Sequence, residues 1–184
     1  NFRLYSESCT LYCKSNYRVT GAGRGLKLQN SFCECTENMK AYKVATHRHT
    51  SEIEQELSNV AGEEIMISFT PHLIPQKRGI LSTIYVNLNR KSSAEELTEM
   101  YKEFYKDEFF VRVKEVGDLP ETKHVAGSNF VDIGVCYDER LQRAVVVSSL
   151  DNIVKGAAGQ AVQNMNLLFG LDEKTALTNP GFYL

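Results

Sequence analysis

Apolar residues recur along this chain at two different spacings. In residues 51–61, Ile53, Leu57, Val60 and Ala61 fall at helical intervals, and Ser51 with Glu54 matches a capping box, so a helix is expected there. Residues 65–70 alternate as a strand that Pro71 is expected to stop, and residues 71–79, with two prolines and a glycine, read as a loop. Residues 80–88, rich in β-branched and aromatic side chains, predict a long strand. Ser92 or Ser93 then caps a charged amphipathic helix to about Lys106, with Leu97, Met100, Tyr101, Phe104 and Tyr105 as its apolar stripe. Strands follow at 109–116, 130–137 and 143–150, with turns at 117–120 and 138–142. Residues 153–169 return to helical periodicity, ending at Gly170.

Strand–turn–strand pieces mixed with a few helices predict an α+β domain with a mostly antiparallel mixed sheet and helices on one face. Gly21-Ala-Gly23-Arg-Gly25 superficially resembles a dinucleotide fingerprint. It lacks the third glycine at the required spacing and the preceding hydrophobic strand, so it reads as a site loop instead. A length of 184 residues is enough for one good-sized domain, and 42% hydrophobic with 24% charged residues is ordinary for a soluble globular protein. A net charge of -2 offers no bulk field for nucleic acid or an anionic membrane, and no apolar run approaches the roughly 18 residues of a membrane span. Cys9, Cys13, Cys33, Cys35 and Cys136 form neither an even disulfide framework nor a zinc spacing, which favours reduced cysteines in a cytoplasmic setting.

The densest candidate chemistry lies in His47-Arg-His49-Thr-Ser-Glu52-Ile53, at the entrance to the first expected helix. Imidazole titrates near pH 6.5, and a helix N-terminus presents N–H donors to anions. Extended backbone would point His47 and His49 the same way, with Arg48 opposite. Either histidine alone is more simply a core residue satisfied by a backbone carbonyl. Glu52, in the first helical turn, is placed to orient an imidazole or a substrate amide. Arg24 follows a flexible glycine loop and suits a carboxylate or phosphate, and otherwise is a solvated loop residue. Arg78 is a second cation for an anionic substrate or for a dimer contact. His72 is expected to be structural and His124 exposed. The Lys155-Gly156-Ala-Ala-Gly159 run puts small residues early in a helix, at a cost that suggests close approach of a ligand or tight packing.

Several blocks in order resemble one family: Thr20-Gly-Ala-Gly-Arg-Gly25, His47-Arg-His-Thr-Ser-Glu-Ile53, Phe69-Thr-Pro-His-Leu-Ile-Pro75 with Arg78-Gly79, Gly127-Ser-Asn129, and residues 151–166. From about Gly21 onward they look like the C-terminal portion of N-acetyl-γ-glutamyl-phosphate reductases, which are similar to semialdehyde and glyceraldehyde-3-phosphate dehydrogenases in their C-terminal domain. The resemblance implies an NADPH-dependent reduction of an acyl phosphate to a semialdehyde in arginine biosynthesis, in a homo-oligomer (dimer or tetramer) without nucleic-acid or membrane partners. It implies His47, His49 and Glu52 as catalytic residues, and Arg24, Gly21, Gly23 and Arg78 as substrate-binding residues. Lys155, Gly156, Gly159 and Asn164 are implied at the NADP site, and no metal is implied. The division expected is a divergent segment at 1–19, a catalytic and dimerisation domain at 20–150, and a helix and tail at 151–184 that in the family return to the NADP-binding domain.

The family's nucleophile stands in a Gly-Cys-Tyr-Pro-Thr-like motif that this sequence lacks, so none of the five cysteines is assigned to it. Ser51 replaces the family's usual proline, and Lys14-Ser15 matches a remnant of an Asp-Ala-Lys-Ser-Gly-like strand. The expectation is a truncated or mis-framed piece of a longer reductase, inactive alone. The alternatives are a non-catalytic dimerisation or binding domain, or a reductase of a related aminoadipyl phosphate.

Overall fold

The computed structural model describes residues 11–17, 25, 28 and 31–182. A seven-stranded sheet organises them in the order β2-β3-β1-β4-β7-β6-β5. Its strands are β1 (Leu11–Tyr17), β2 (Lys40–Ala41), β3 (Ile67–Leu73), β4 (Ile80–Asn87), β5 (Val111–Val113), β6 (Val131–Asp138) and β7 (Arg143–Leu150). The β1/β3 and β5/β6 pairs run parallel and all other neighbours antiparallel, which bears out the mixed, mostly antiparallel expectation. The helices are α1 (Phe32–Cys35), α2 (His49–Ala61), α3 (Ala94–Phe104) and α4 (Gly159–Leu168).

One face of the sheet forms the core. Register places Ile84 opposite Val146, Val86 opposite Ala144 and Val135 opposite Val146, and these residues pack with Ile133, Leu88 and Leu97 of α3. Ser93 caps α3 as expected, its side chain accepting from the Glu96 amide. Met100, Tyr101 and Tyr105 complete the contact, whereas Phe104 is 66% exposed, because the stripe is narrower than the sequence suggests. Phe69 falls on this same face through Cys13 and Ile84, and α2 lies over β3, so α2 and α3 share one side of the sheet. Among the described residues, the opposite face is most closely covered towards β6. There the turn at Asp118–Pro120 closes on Gly134, whose missing side chain makes room for it. Elsewhere that face carries half-buried Leu81, Thr83, Tyr85, Cys136 and Val145.

Four expectations are corrected. The strand at 67–73 runs through Pro71 instead of stopping there. The Pro71 carbonyl accepts from the Tyr42 amide, so the missing N–H faces the short strand β2, where one lost donor costs little. The strand expected at 109–116 contracts to β5, because Phe109 and Phe110 turn into an aromatic cluster with Phe130. The last helix is two pieces, a π-turn at Val154–Ala158 and then α4, with Gly170 at φ +68 ending it. The first long helix starts at His49, two residues before the supposed cap.

Candidate functional site

That earlier start changes the roles of the residues around the histidines. Arg48 takes the N-cap position with helical backbone and no side-chain cap. Ser51, already inside the first turn, donates back to the Arg48 carbonyl, and Glu54 accepts from the Ile67 amide, so the expected capping box does not form. An imidazole does the capping instead. His47 Nδ1 accepts from the His49 amide at 3.2 Å, and the His47 carbonyl accepts from the Thr50 amide.

A tight turn, not extended backbone, brings the two rings together, with centroids 4.9 Å apart. Lys43 (φ 46) and Ala45 (φ 55) hold left-handed conformations in that turn, a strained geometry for residues with side chains. Tyr42 and Phe69 meet the His47 ring edge-on at 5.5 and 5.3 Å. Burial, followed by the charges of His49, Lys43 and Arg48, pushes the His47 pKa below its ordinary value. A neutral ring that accepts at Nδ1 carries its proton on Nε2. His49 is half-buried and more open than His47, while Glu52 stands exposed on the first turn.

A second set of residues gathers at one end of the sheet. The register puts Tyr17 beside Leu73, Asn16 beside Leu81, Ile80 beside Leu150, and Leu150 beside Val131. The loops at 74–79, 125–130 and 151–158 therefore all leave from this end. The Gly21, Gly23 and Arg24 stretch follows β1 in sequence and lies outside the described residues. Arg78, with 45% of its side chain exposed, meets the fully buried Asp151 at 3.4 Å. Asp151 also accepts from the amides of Gly127, Ile153 and Val154.

The four residues expected at the cofactor divide into two pairs. Gly156 and Asn164 are exposed, and Asn164 accepts from Gln160. Lys155 turns inward, its Nζ 2.8 Å from Gln163 Oε1 and 5.3 Å from the Phe110 ring centroid. Burial lowers its pKa, against the opposing pull of Glu173 and Glu108. Gly159 is buried, and a Cβ there would sit 2.4 Å from Asn129 Oδ1, so this glycine serves packing. Asn129, Gln163 and Asp151 were not singled out from sequence as individual residues. An Asp placed just ahead of a helical run is a cap signal that identifies Asp151, whereas Asn129 and Gln163 meet only through the fold. Lys43 likewise joins the histidines only through the turn.

The family described as "Semialdehyde dehydrogenase, dimerisation domain" matches residues 3–152. The chain belongs to that family. An N-acetyl-gamma-glutamyl-phosphate reductase from Acetivibrio thermocellus is 65% identical over 166 residues, covering 90% of this chain and 48% of the relative. Another, from Caldicellulosiruptor saccharolyticus, is 56% identical over 183 residues, covering 100% of this chain and 52% of the relative. The resemblance to the C-terminal portion of these reductases is thus borne out, and the chain spans about half the length of the curated relatives it matches. Among solved structures, aspartate semialdehyde dehydrogenase II from Vibrio cholerae, complexed with ASA, superposes with a TM-score of 0.68 at 18% identity, covering 88% of this chain and 55% of that one. At that identity the likeness establishes the fold.

Proposed function

We propose that this chain supplies the proton-transfer and anion-binding half of an NADPH-dependent reductase that converts N-acetyl-glutamyl 5-phosphate to the 5-semialdehyde, in the cytoplasm. The observation that carries this is the His47–His49 pair at the start of α2, in a chain whose curated relatives bear that reductase's name. His49, on the open side, passes the proton to and from the substrate oxygen as negative charge develops there. His47 acts behind it. Its neutral ring holds the His49 amide, and its aromatic surroundings fix its own plane. Arg78 offers a half-exposed guanidinium to a carboxylate or phosphate.

The exposed backbone at Gly156, followed by two alanines, fits the approach of a flat nicotinamide ring, and Asn164 lies exposed on the following helix. The bound cofactor would supply hydride. Lys155 and Gly159 support that surface from inside, through Gln163 and Asn129. The sheet face with half-buried Tyr85 and Val145 suits a second copy of the chain, in keeping with a family described as a dimerisation domain.

The test is NADPH oxidation with N-acetyl-γ-glutamyl phosphate, using this chain alone and then mixed with a separately made segment carrying a dinucleotide-binding domain and the nucleophilic cysteine. Activity is expected only in the mixture. There His49→Asn lowers kcat by about 10²- to 10⁴-fold, and His47→Gln by less. An inactive mixture of two folded pieces would favour a domain that only self-associates. A His49→Asn variant within threefold of the parent would remove His49 from proton transfer.

A further inference from the structure

The loop that carries Arg78 and the segment that opens the last helical stretch are joined through consecutive residues on both sides. Arg78 Nη1 donates to Asp151 Oδ2 at 3.4 Å, and the next amide along the loop, Gly79 N, donates to Asn152 Oδ1 at 2.7 Å. Asp151 is 0% exposed. Its Oδ1 accepts from Ile153 N and Val154 N at 2.8 and 3.0 Å, and its Oδ2 accepts from Gly127 N at 2.7 Å. Burial alone would push the carboxyl up, but these three amides and the guanidinium outweigh it and hold it below its ordinary range.

The three amides already satisfy much of what a helix-capping carboxylate needs. The contact to Arg78 does something further, since arginine is long and samples many rotamers when free. Asp151 engages a single guanidinium nitrogen, so further donors of the planar fork remain on the half-exposed side chain. Asn152 fixes the backbone one residue on, so both the base of the arginine and its tip are tied to the same dipeptide.

We propose that Asp151 and Asn152 form a two-point latch that positions Arg78 to receive an oxyanion of the substrate, a carboxylate or a phosphate. Asp151 is a positioning residue here, because it acts through Arg78. By gripping the Ile153 and Val154 amides, it also ties the oxyanion seat to the π-turn that contains Gly156. The inference rests on reading Arg78 as part of the substrate site, and its test involves no hydride step, so an inactive reconstituted mixture leaves it standing or falling by itself.

The experiment is an NMR titration of the full ¹⁵N-labelled chain, following the Arg78 Nε–H resonance. Inorganic phosphate is used in one arm and N-acetylglutamate in the other. A saturable shift at millimolar anion is expected in at least one arm, and the arm that saturates identifies the group received. Asp151→Asn is expected to weaken the apparent Kd at least tenfold and to broaden the Arg78 resonance, while amide shifts in β6 and β7 stay in place. Should Asp151→Asn fail to fold, Asn152→Ala removes the other point of the latch and is expected to weaken binding at least threefold. No saturable shift in either arm, or an unchanged Kd in a folded Asp151→Asn or Asn152→Ala chain, would overturn the proposal.

Discussion

Protonating His47 would place a cation on a buried ring, beside His49, Lys43 and Arg48. It would also disturb the acceptor at Nδ1 that holds the first amide of α2. The unfolded chain takes up this proton near pH 6.5, the folded one only at lower pH. Stability linked to His47 is therefore fully present above about pH 6.5 and is lost as pH falls through the folded pKa. Thermal unfolding is expected to show Tm falling between pH 7 and 5, with His47→Gln flattening that limb. A Tm indifferent to pH in that range, with the parent chain folded, would contradict the burial argument. Asp151 contributes in the same direction, but its share is lost only in stronger acid, below its ordinary 3.8.

Two glycines sit in the junction between the π-turn and α4, and the two are not equivalent. A Cβ on Gly159 would meet Asn129 Oδ1 at 2.4 Å and the Val154 carbonyl at 2.8 Å, whereas one on Gly156 would meet nothing closer than Leu150 at 3.4 Å. Gly159→Ala is expected to cost about 1–3 kcal/mol in urea unfolding, with Gly156→Ala within about 0.5 kcal/mol of the parent or above it. Equal effects would mean that the helix junction rearranges freely.

This junction also shows where sequence reasoning stops. Periodicity gave the helix at 153–169 its extent, because Val154, Ala158, Val162 and Met165 obey a common spacing. A π-turn differs from α-helix by one hydrogen-bond step, which periodicity does not resolve, and Asn129, packed against Gly159 at the junction, is brought there only by the fold. Strands β4, β6 and β7 and the Ser93 cap were legible because their signals are local. Pro71 inside β3 was not, since a proline's cost depends on which neighbour its missing N–H faces. Among the site residues, the histidine pair was visible as a motif. The turn that joins the rings depends on left-handed backbone at Lys43 and Ala45, which neither residue type signals, and the latch on Arg78 depends on residues far apart in sequence.

At the scale of the whole molecule, two apolar surfaces are at least partly exposed among the described residues. One is the sheet face bearing Leu81, Tyr85, Cys136 and Val145. The other is the end of α4 and its continuation, where Met165, Leu167, Leu168, Phe169 and Leu171 are 46%, 58%, 84%, 76% and 50% exposed. Contiguous apolar surface of this kind marks association sites. Size-exclusion chromatography with light scattering is expected to give a dimer or larger species, and Val145→Asp is expected to shift it towards monomer without loss of helical signal. A parent chain that elutes as a clean monomer would count against association through either surface.

The sheet's borders limit what form such association can take. Among the described residues, it ends in strands of only two and three residues, β2 and β5. A third chain seeking to add its backbone at a border would find too few free amides and carbonyls to extend the ladder. Layered stacking, with sheets about 10 Å apart, remains available, whereas lateral growth strand by strand does not. A chain this rich in exposed hydrocarbon is thereby steered away from fibres and towards small, closed assemblies.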